Sequence, residues 1–129
     1  MVAIDTNIFV RLLTQDDDYQ YQRAYALFQH EELFLSKTVI LETEWVLRYA
    51  YKFRPNDIIL GFRRLFGLPN VCVEDAGTVA LALKWHEGGL DFADALHLAA
   101  SQRCDAFYTF DKDFVKKGNA VSECALKHP

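Results

Sequence analysis

Asp5, Glu42, Asp94 and Asp111 are scattered over nearly the whole chain. Each nevertheless stands where a short apolar run ends, where a helix opens, or inside an apolar helical stretch. Met1-Val-Ala-Ile-Asp5-Thr-Asn7 closes an apolar run on an acid, and Ala106-Phe-Tyr-Thr109-Phe-Asp111 does the same. Two strands that each deliver an Asp at the carboxyl end describe the crevice above an open parallel sheet, where α/β proteins bind ligands. Carboxylates converging there repel one another and resist ionisation unless a cation joins them. A hard divalent ion, Mg²⁺ or Mn²⁺, suits an all-oxygen site of that kind.

Each acid has a competing structural explanation. Asp5 could simply cap the following helix, although Thr6 and Asn7 are also competent caps. Glu42 lies in Val39-Ile-Leu-Glu42-Thr-Glu44-Trp-Val-Leu-Arg48, a stretch apolar on nearly every face. A helix apolar all round is buried, so a carboxylate within it needs a partner, which makes Glu42 a predicted ligand. Glu44 has Arg48 four residues on, in the favourable order for a helical ion pair, and is either a surface pair or a supporting group. Asp91 and Asp94 open another helix with capping-box-like spacing, Asp91 as N-cap and Asp94 at the third position. Asp94 is the predicted ligand there, since the helix dipole favours the anion a metal requires, and Asp91 is its cap or support. Asp111 should face the crevice directly after its strand, with Asp113 capping the next short helix or lying at the rim. Thr109 is placed to hydrogen-bond a ligand carboxylate or its water. A calcium-loop reading of Asp111 and Asp113 fails, because Val115 occupies the fifth position and no Glu arrives at the twelfth.

The elements that must position these acids alternate along the chain. Periodicity predicts strands over residues 2–5, 33–35, 71–73 and 106–109, and helices over 6–14, 16–30, 37–52, 55–66, 75–87, 91–103 and about 111–117. Asp16 and Ser36 are candidate N-caps, Pro55 marks a helix start, Gly67 and Gly88-Gly89 are stops, and Gly118 follows the last turn. Short strands separated by helices imply an α/β fold. The expectation is one domain over residues 1–129, with a central parallel sheet of four or five short strands and helices on both faces.

At 129 residues, 51% hydrophobic and 14% aromatic, the chain can bury a real core. A net charge of −4 gives no bulk attraction for nucleic acid, so a polyanionic substrate would need a local basic patch and bound metal. Cys72, Cys104 and Cys124 form no CxxC pair and are odd in number, which favours a reducing compartment. No apolar stretch approaches the roughly 20 residues of a membrane span, and no signal peptide is visible. A cytoplasmic location without membrane association is expected.

Asp5-Thr6-Asn7, the segment from Ser36 to Glu42, Asp94-Ala95-Leu96-His97-Leu98-Ala99-Ala100, and Thr109-Phe110-Asp111-Lys112-Asp113-Phe114 occur in the order and spacing of PIN-domain ribonucleases. The resemblance spans Met1 to Phe114, and the small single-domain form resembles the VapC toxins of type II toxin–antitoxin pairs. It implies that Asp5, Glu42, Asp94 and Asp111 form the catalytic metal site, supported by Asn7 and Thr109. One departure is Val46, beside Trp45, where many members carry Gly four residues after the matching Glu; that bulk puts target preference in doubt.

The resemblance further implies Mg²⁺- or Mn²⁺-dependent hydrolysis of RNA by water, leaving a 5′-phosphate and a 3′-hydroxyl. Ser36, His97 and the cysteines have no GxSxG-like context for a covalent mechanism, and His97 reads as a core-edge residue. Arg11, one turn or so beyond Asn7, and the lysines Lys112, Lys116 and Lys117, just after Asp111, are the candidate RNA contacts. Expected partners are RNA, an antitoxin protein whose peptide occupies the groove, and a second copy of the chain. The homodimer and the toxin–antitoxin hetero-oligomer would use the helices over 16–30 and 37–66. The alternatives are a PIN nuclease of general RNA processing without an antitoxin, and a non-catalytic RNA- or protein-binding module, against which retention of all four acids argues.

Overall fold

A computed structural model describes residues Met1–Pro129 as an α/β chain with two compact units, Met1–Asp75 and Ala76–Pro129. The first unit holds a three-stranded parallel sheet in the order β1 (Val2–Ala3), β2 (Leu33–Leu35), β3 (Val71–Val73). Leu33 pairs with Val2 on one side and with Val71 on the other, and Phe34 lies between Ala3 and Cys72. Parallel neighbours require helical crossovers. Here α1 (Thr6–Thr14) and α2 (Asp18–His30) connect β1 to β2, and α3 (Lys37–Tyr49) and α4 (Pro55–Phe66) connect β2 to β3.

Local chemistry sets the helix ends. Ser36 caps α3 by accepting the Val39 amide at 3.2 Å, and Pro55 opens α4, where its missing N–H costs nothing. The cap of α2 is Asp17 rather than Asp16, with the Gln20 amide donating to it at 2.9 Å. Asp16 is instead held by Arg11, Thr14 and Tyr51, so its carboxylate cannot turn to the helix. Helix α3 stops at Tyr49, short of the predicted residue 52, because the chain passes into a left-handed turn at Lys52, φ 58°. The core of this unit centres on Phe9, Phe62 and Phe66, with ring centroids 5.3–6.2 Å apart, together with the fully buried Leu35, Ile40 and Leu47.

The second unit packs α5 (Ala76–Glu87) on α6 (Phe92–Ala99) through small and branched side chains, among them the buried Val79, Ala82, Ala95 and Leu98. A parallel pair follows, β4 (Ala106–Tyr108) and β5 (Ala125–Lys127), with α7 (Lys112–Asn119) as its crossover. Strand β5 lies outside the four stretches that periodicity marks. It is fastened by Asn119, whose side chain accepts from the Leu126 amide at 2.8 Å and donates to its carbonyl at 3.0 Å. Gly118 does not follow the last turn; it lies inside α7 and is buried against Leu126, where a Cβ would come within 2.5 Å of Cδ2. The five strands thus form a sheet of three and a sheet of two.

Candidate acidic site

In the first unit Asp5 directly follows β1 and caps α1, accepting the Thr6 amide at Oδ1 over 2.7 Å. Its second oxygen engages no other side chain. Capping and site chemistry are therefore compatible for this residue. Asn7 and Arg11 lie along α1 and border a groove of about 540 Å³ between α1 and α2, which Tyr19, Gln20 and Arg23 close from the other side. Arg11 is heavily engaged. Its guanidinium donates to Gln20 at 2.6 Å, to the Tyr51 hydroxyl at 2.8 Å and to Asp16 at 3.1 Å, so its main role is to tie α1 to α2 and to the end of α3. The Tyr51 hydroxyl, followed by Thr14, holds the Asp16 carboxyl below its ordinary value.

Helix α3 reverses the burial expected for its two acids. Ile40, Thr43, Glu44 and Leu47 form the inward stripe at helical spacing, whereas Glu42, Trp45 and Tyr49 form an exposed one. Glu44 is 1% exposed and receives both Arg48 Nε at 2.8 Å and Nη2 at 3.3 Å. Its carboxylate is buried, while the Arg48 side chain that pairs with it is 31% exposed. Glu42 is exposed, so the expectation of a carboxylate enclosed by apolar side chains does not hold. The stretch is apolar on both faces because Trp45, 55% exposed, rests against Tyr49 at 5.0 Å on the outside. The bulk beside Val46 thus points outward at Trp45.

In the second unit Asp91 caps α6, accepting the Asp94 amide at 3.2 Å, as its spacing predicts. Asp94 is half-buried and its carboxylate accepts no hydrogen bond. Burial first, then the charges of Asp91 and Asp111, push its carboxyl above the ordinary range, and His97 opposes them. Asp111 caps α7 through Oδ1, which accepts the Phe114 amide at 3.0 Å, and Asp113 is not the cap. Asp113 lies in the first turn and pairs with Lys117 at 3.0 Å. Thr109 Oγ1 accepts the Asp111 amide at 3.1 Å and so shapes the turn that presents this carboxylate. Lys112 and Lys116 are exposed and unpaired. Within neither unit do three or more His, Cys, Asp or Glu side chains gather as a metal-holding group.

The second unit nevertheless passes a chemical test for a hard cation. Its donors are all carboxylate oxygens, and Asp94 is an acid whose ionisation is opposed by burial and by two neighbouring acids. A cation is what would relieve that opposition.

Parallel strands connected by helices, two of them, α1 and α7, capped by an Asp just after a strand, define an α/β chain. The PIN domain family profile matches residues 2–120, and the chain belongs to that family. Its fold is of nuclease type, and PIN domains are generally metal-dependent nucleases, which gives hydrolase as the coarse class. A comparison with curated proteins finds no match. No helix is long and apolar enough to cross a membrane.

Proposed function

We propose that this chain is a metal-dependent endoribonuclease acting in the cytoplasm as the toxin of a toxin–antitoxin pair. It would be held inactive by a cognate antitoxin protein and would assemble as a homodimer within a toxin–antitoxin hetero-oligomer. The observation that carries the nuclease reading is Asp94, an acid without hydrogen-bond partners whose ionisation is opposed by burial and then by Asp91 and Asp111, in a chain of nuclease-type fold. The toxin role rests on the resemblance of the whole chain to small single-domain VapC toxins.

Asp5, Glu42, Asp94 and Asp111 are the proposed ligands of Mg²⁺ or Mn²⁺. Bound there, the ion supplies Lewis-acid polarisation of a phosphate and activation of water. The chain's own residues prepare that chemistry. Asp91 satisfies the amide at the start of α6, which leaves the Asp94 carboxylate uncommitted. Thr109 and the Phe114 amide fix the turn and one oxygen of Asp111, so its other oxygen is the one offered. Asn7 would support the Asp5 end from the first turn of α1.

The deciding experiment incubates the purified chain with a panel of structured RNAs in Mg²⁺, in Mn²⁺ and in EDTA, and maps the cut ends. Cleavage in either metal, absent in EDTA and leaving 5′-phosphates, is the expected result. Intact RNA under all three conditions would sink the nuclease reading. Cleavage unaffected by EDTA would sink the metal.

A further inference from the structure

Strand β4 alternates in an unusual way. Phe107 turns inward onto Phe114, centroids 5.4 Å apart, and Thr109 is half-buried, while Tyr108 is 61% and Phe110 85% exposed. Phe110 is the most exposed large apolar side chain in the protein, and neither ring stacks on another ring or lies under a cation. A pair of bare aromatics costs solubility and contributes nothing to the core. The surrounding charges say what would cover them. Lys127 is the register partner of Tyr108 across β4 and β5, which puts both side chains on one face of the pair. Lys112 follows Phe110 by two residues, and both lysines are exposed without an ion pair. Asp111, one residue beyond Phe110, is one of the two acids whose charge reaches Asp94, which burial already disfavours as an anion.

Exposed aromatic rings on the same short segment as unpaired lysines match one ligand chemistry, an unpaired nucleic-acid strand. Its bases stack on the rings and its phosphates meet the lysines. A duplex keeps its bases in its own stack and cannot use the rings. We propose that Tyr108 and Phe110, with Lys127 and Lys112, form a stacking track that seats nucleotides next to the turn presenting the Asp111 carboxylate. The track rests on the ribonuclease reading above and names the residues that would hold the nucleotides. Tyr108 and Phe110 act as positioning residues.

The test uses the full chain and a labelled uridine octamer, with binding followed by anisotropy in EDTA and cleavage followed in Mn²⁺. Stacking is worth about 1–3 kcal/mol per base, so Phe110→Ala and Tyr108→Ala should each weaken binding by about tenfold and raise KM with little change in kcat. Phe110→Trp should restore both, and thermal stability should stay level because the rings are outside the core. An octamer with abasic sites should bind the wild type as weakly as the intact octamer binds the Tyr108→Ala, Phe110→Ala double variant. If the wild type binds and cleaves RNA while both alanine variants keep its affinity and KM, the track is wrong and the nuclease reading stands. If the wild type neither binds nor cleaves any RNA, the nuclease reading itself fails, and the track with it. If the variants instead convert a dimer to a monomer in sedimentation with RNA affinity unchanged, the rings are a protein interface and the proposal is overturned.

Discussion

Two glutamates two residues apart on α3 divide stability from chemistry. Glu44 is buried beneath Arg48, and changing it to Gln keeps a hydrogen-bond acceptor while removing the charge from a buried, doubly bonded position. The expected cost is about 1–3 kcal/mol in denaturant unfolding, with cleavage by the remaining folded protein close to wild type. Glu42 is exposed, so Glu42→Gln should leave the unfolding midpoint unchanged and reduce cleavage by about 100-fold or more if it is a ligand. The reverse pattern, activity lost through Glu44 alone, would remove Glu42 from the site. Asp94 makes a second residue-scale prediction. Its folded carboxyl titrates above its ordinary value of 3.8, so the fold binds that proton more tightly than the unfolded chain does. Asp94 therefore costs stability at neutral pH, and the cost fades as pH falls through its raised pKa. In EDTA, Asp94→Asn should melt higher than wild type at pH 7, and the two should converge toward pH 4. Added Mn²⁺ should raise the wild type's melting temperature and not the variant's. A variant less stable than wild type at pH 7 in EDTA would contradict the argument from burial and repulsion.

At the level of elements, α7 and β5 depend on a glycine that no turn requires. Alanine is favoured over glycine inside a helix by roughly 1 kcal/mol, yet overfilling a packed contact costs about 1–3 kcal/mol. At Gly118 the added methyl would meet Leu126, which is 3% exposed and has little room to rotate. Gly118→Ala should therefore destabilise the protein. In a Leu126→Ala background the same change should become stabilising, since only the helical preference remains. Unfolding of the four proteins of this double-mutant cycle gives the sign directly, and a stabilising Gly118→Ala in the parent would refute the packing role. The glycine shows where local pattern stops being informative. Caps such as Ser36 and Asp91, Pro55 at a helix start, and the apolar runs at 33–35 and 71–73 are legible because their causes lie within a few residues. Gly118 and β5 depend on a partner several residues away, and Asp16 loses its cap to a tyrosine 35 residues on. Glu44 was within reach of the sequence, because Ile40, Thr43 and Leu47 already mark its stripe. The aromatic outer face at Trp45 and Tyr49 hid it by making both sides of α3 apolar.

For the molecule as a whole, a net charge of −4 opposes an anionic substrate, so any RNA affinity must come from local cations. The candidate phosphate contacts separate by their pairing. Lys117 is already bound to Asp113, and Arg11 to Asp16, whereas Lys112, Lys116 and Lys127 are exposed and unpaired. Each phosphate neutralised on a single strand lowers the logarithm of the affinity by about 0.7 per decade of salt. Three such contacts give a slope of about −2 for the octamer. Replacing Lys112 or Lys127 by Ala should make the slope shallower by about 0.7, while Lys117→Ala, whose partner is internal, should leave it in place. Phe110→Ala should lower the affinity without altering the slope, because stacking releases no counterions. Titrations at four salt concentrations separate the two kinds of contact. A slope near zero in the wild type would mean that these lysines do not touch the backbone, and that the acidic chain draws its substrate in by some other surface.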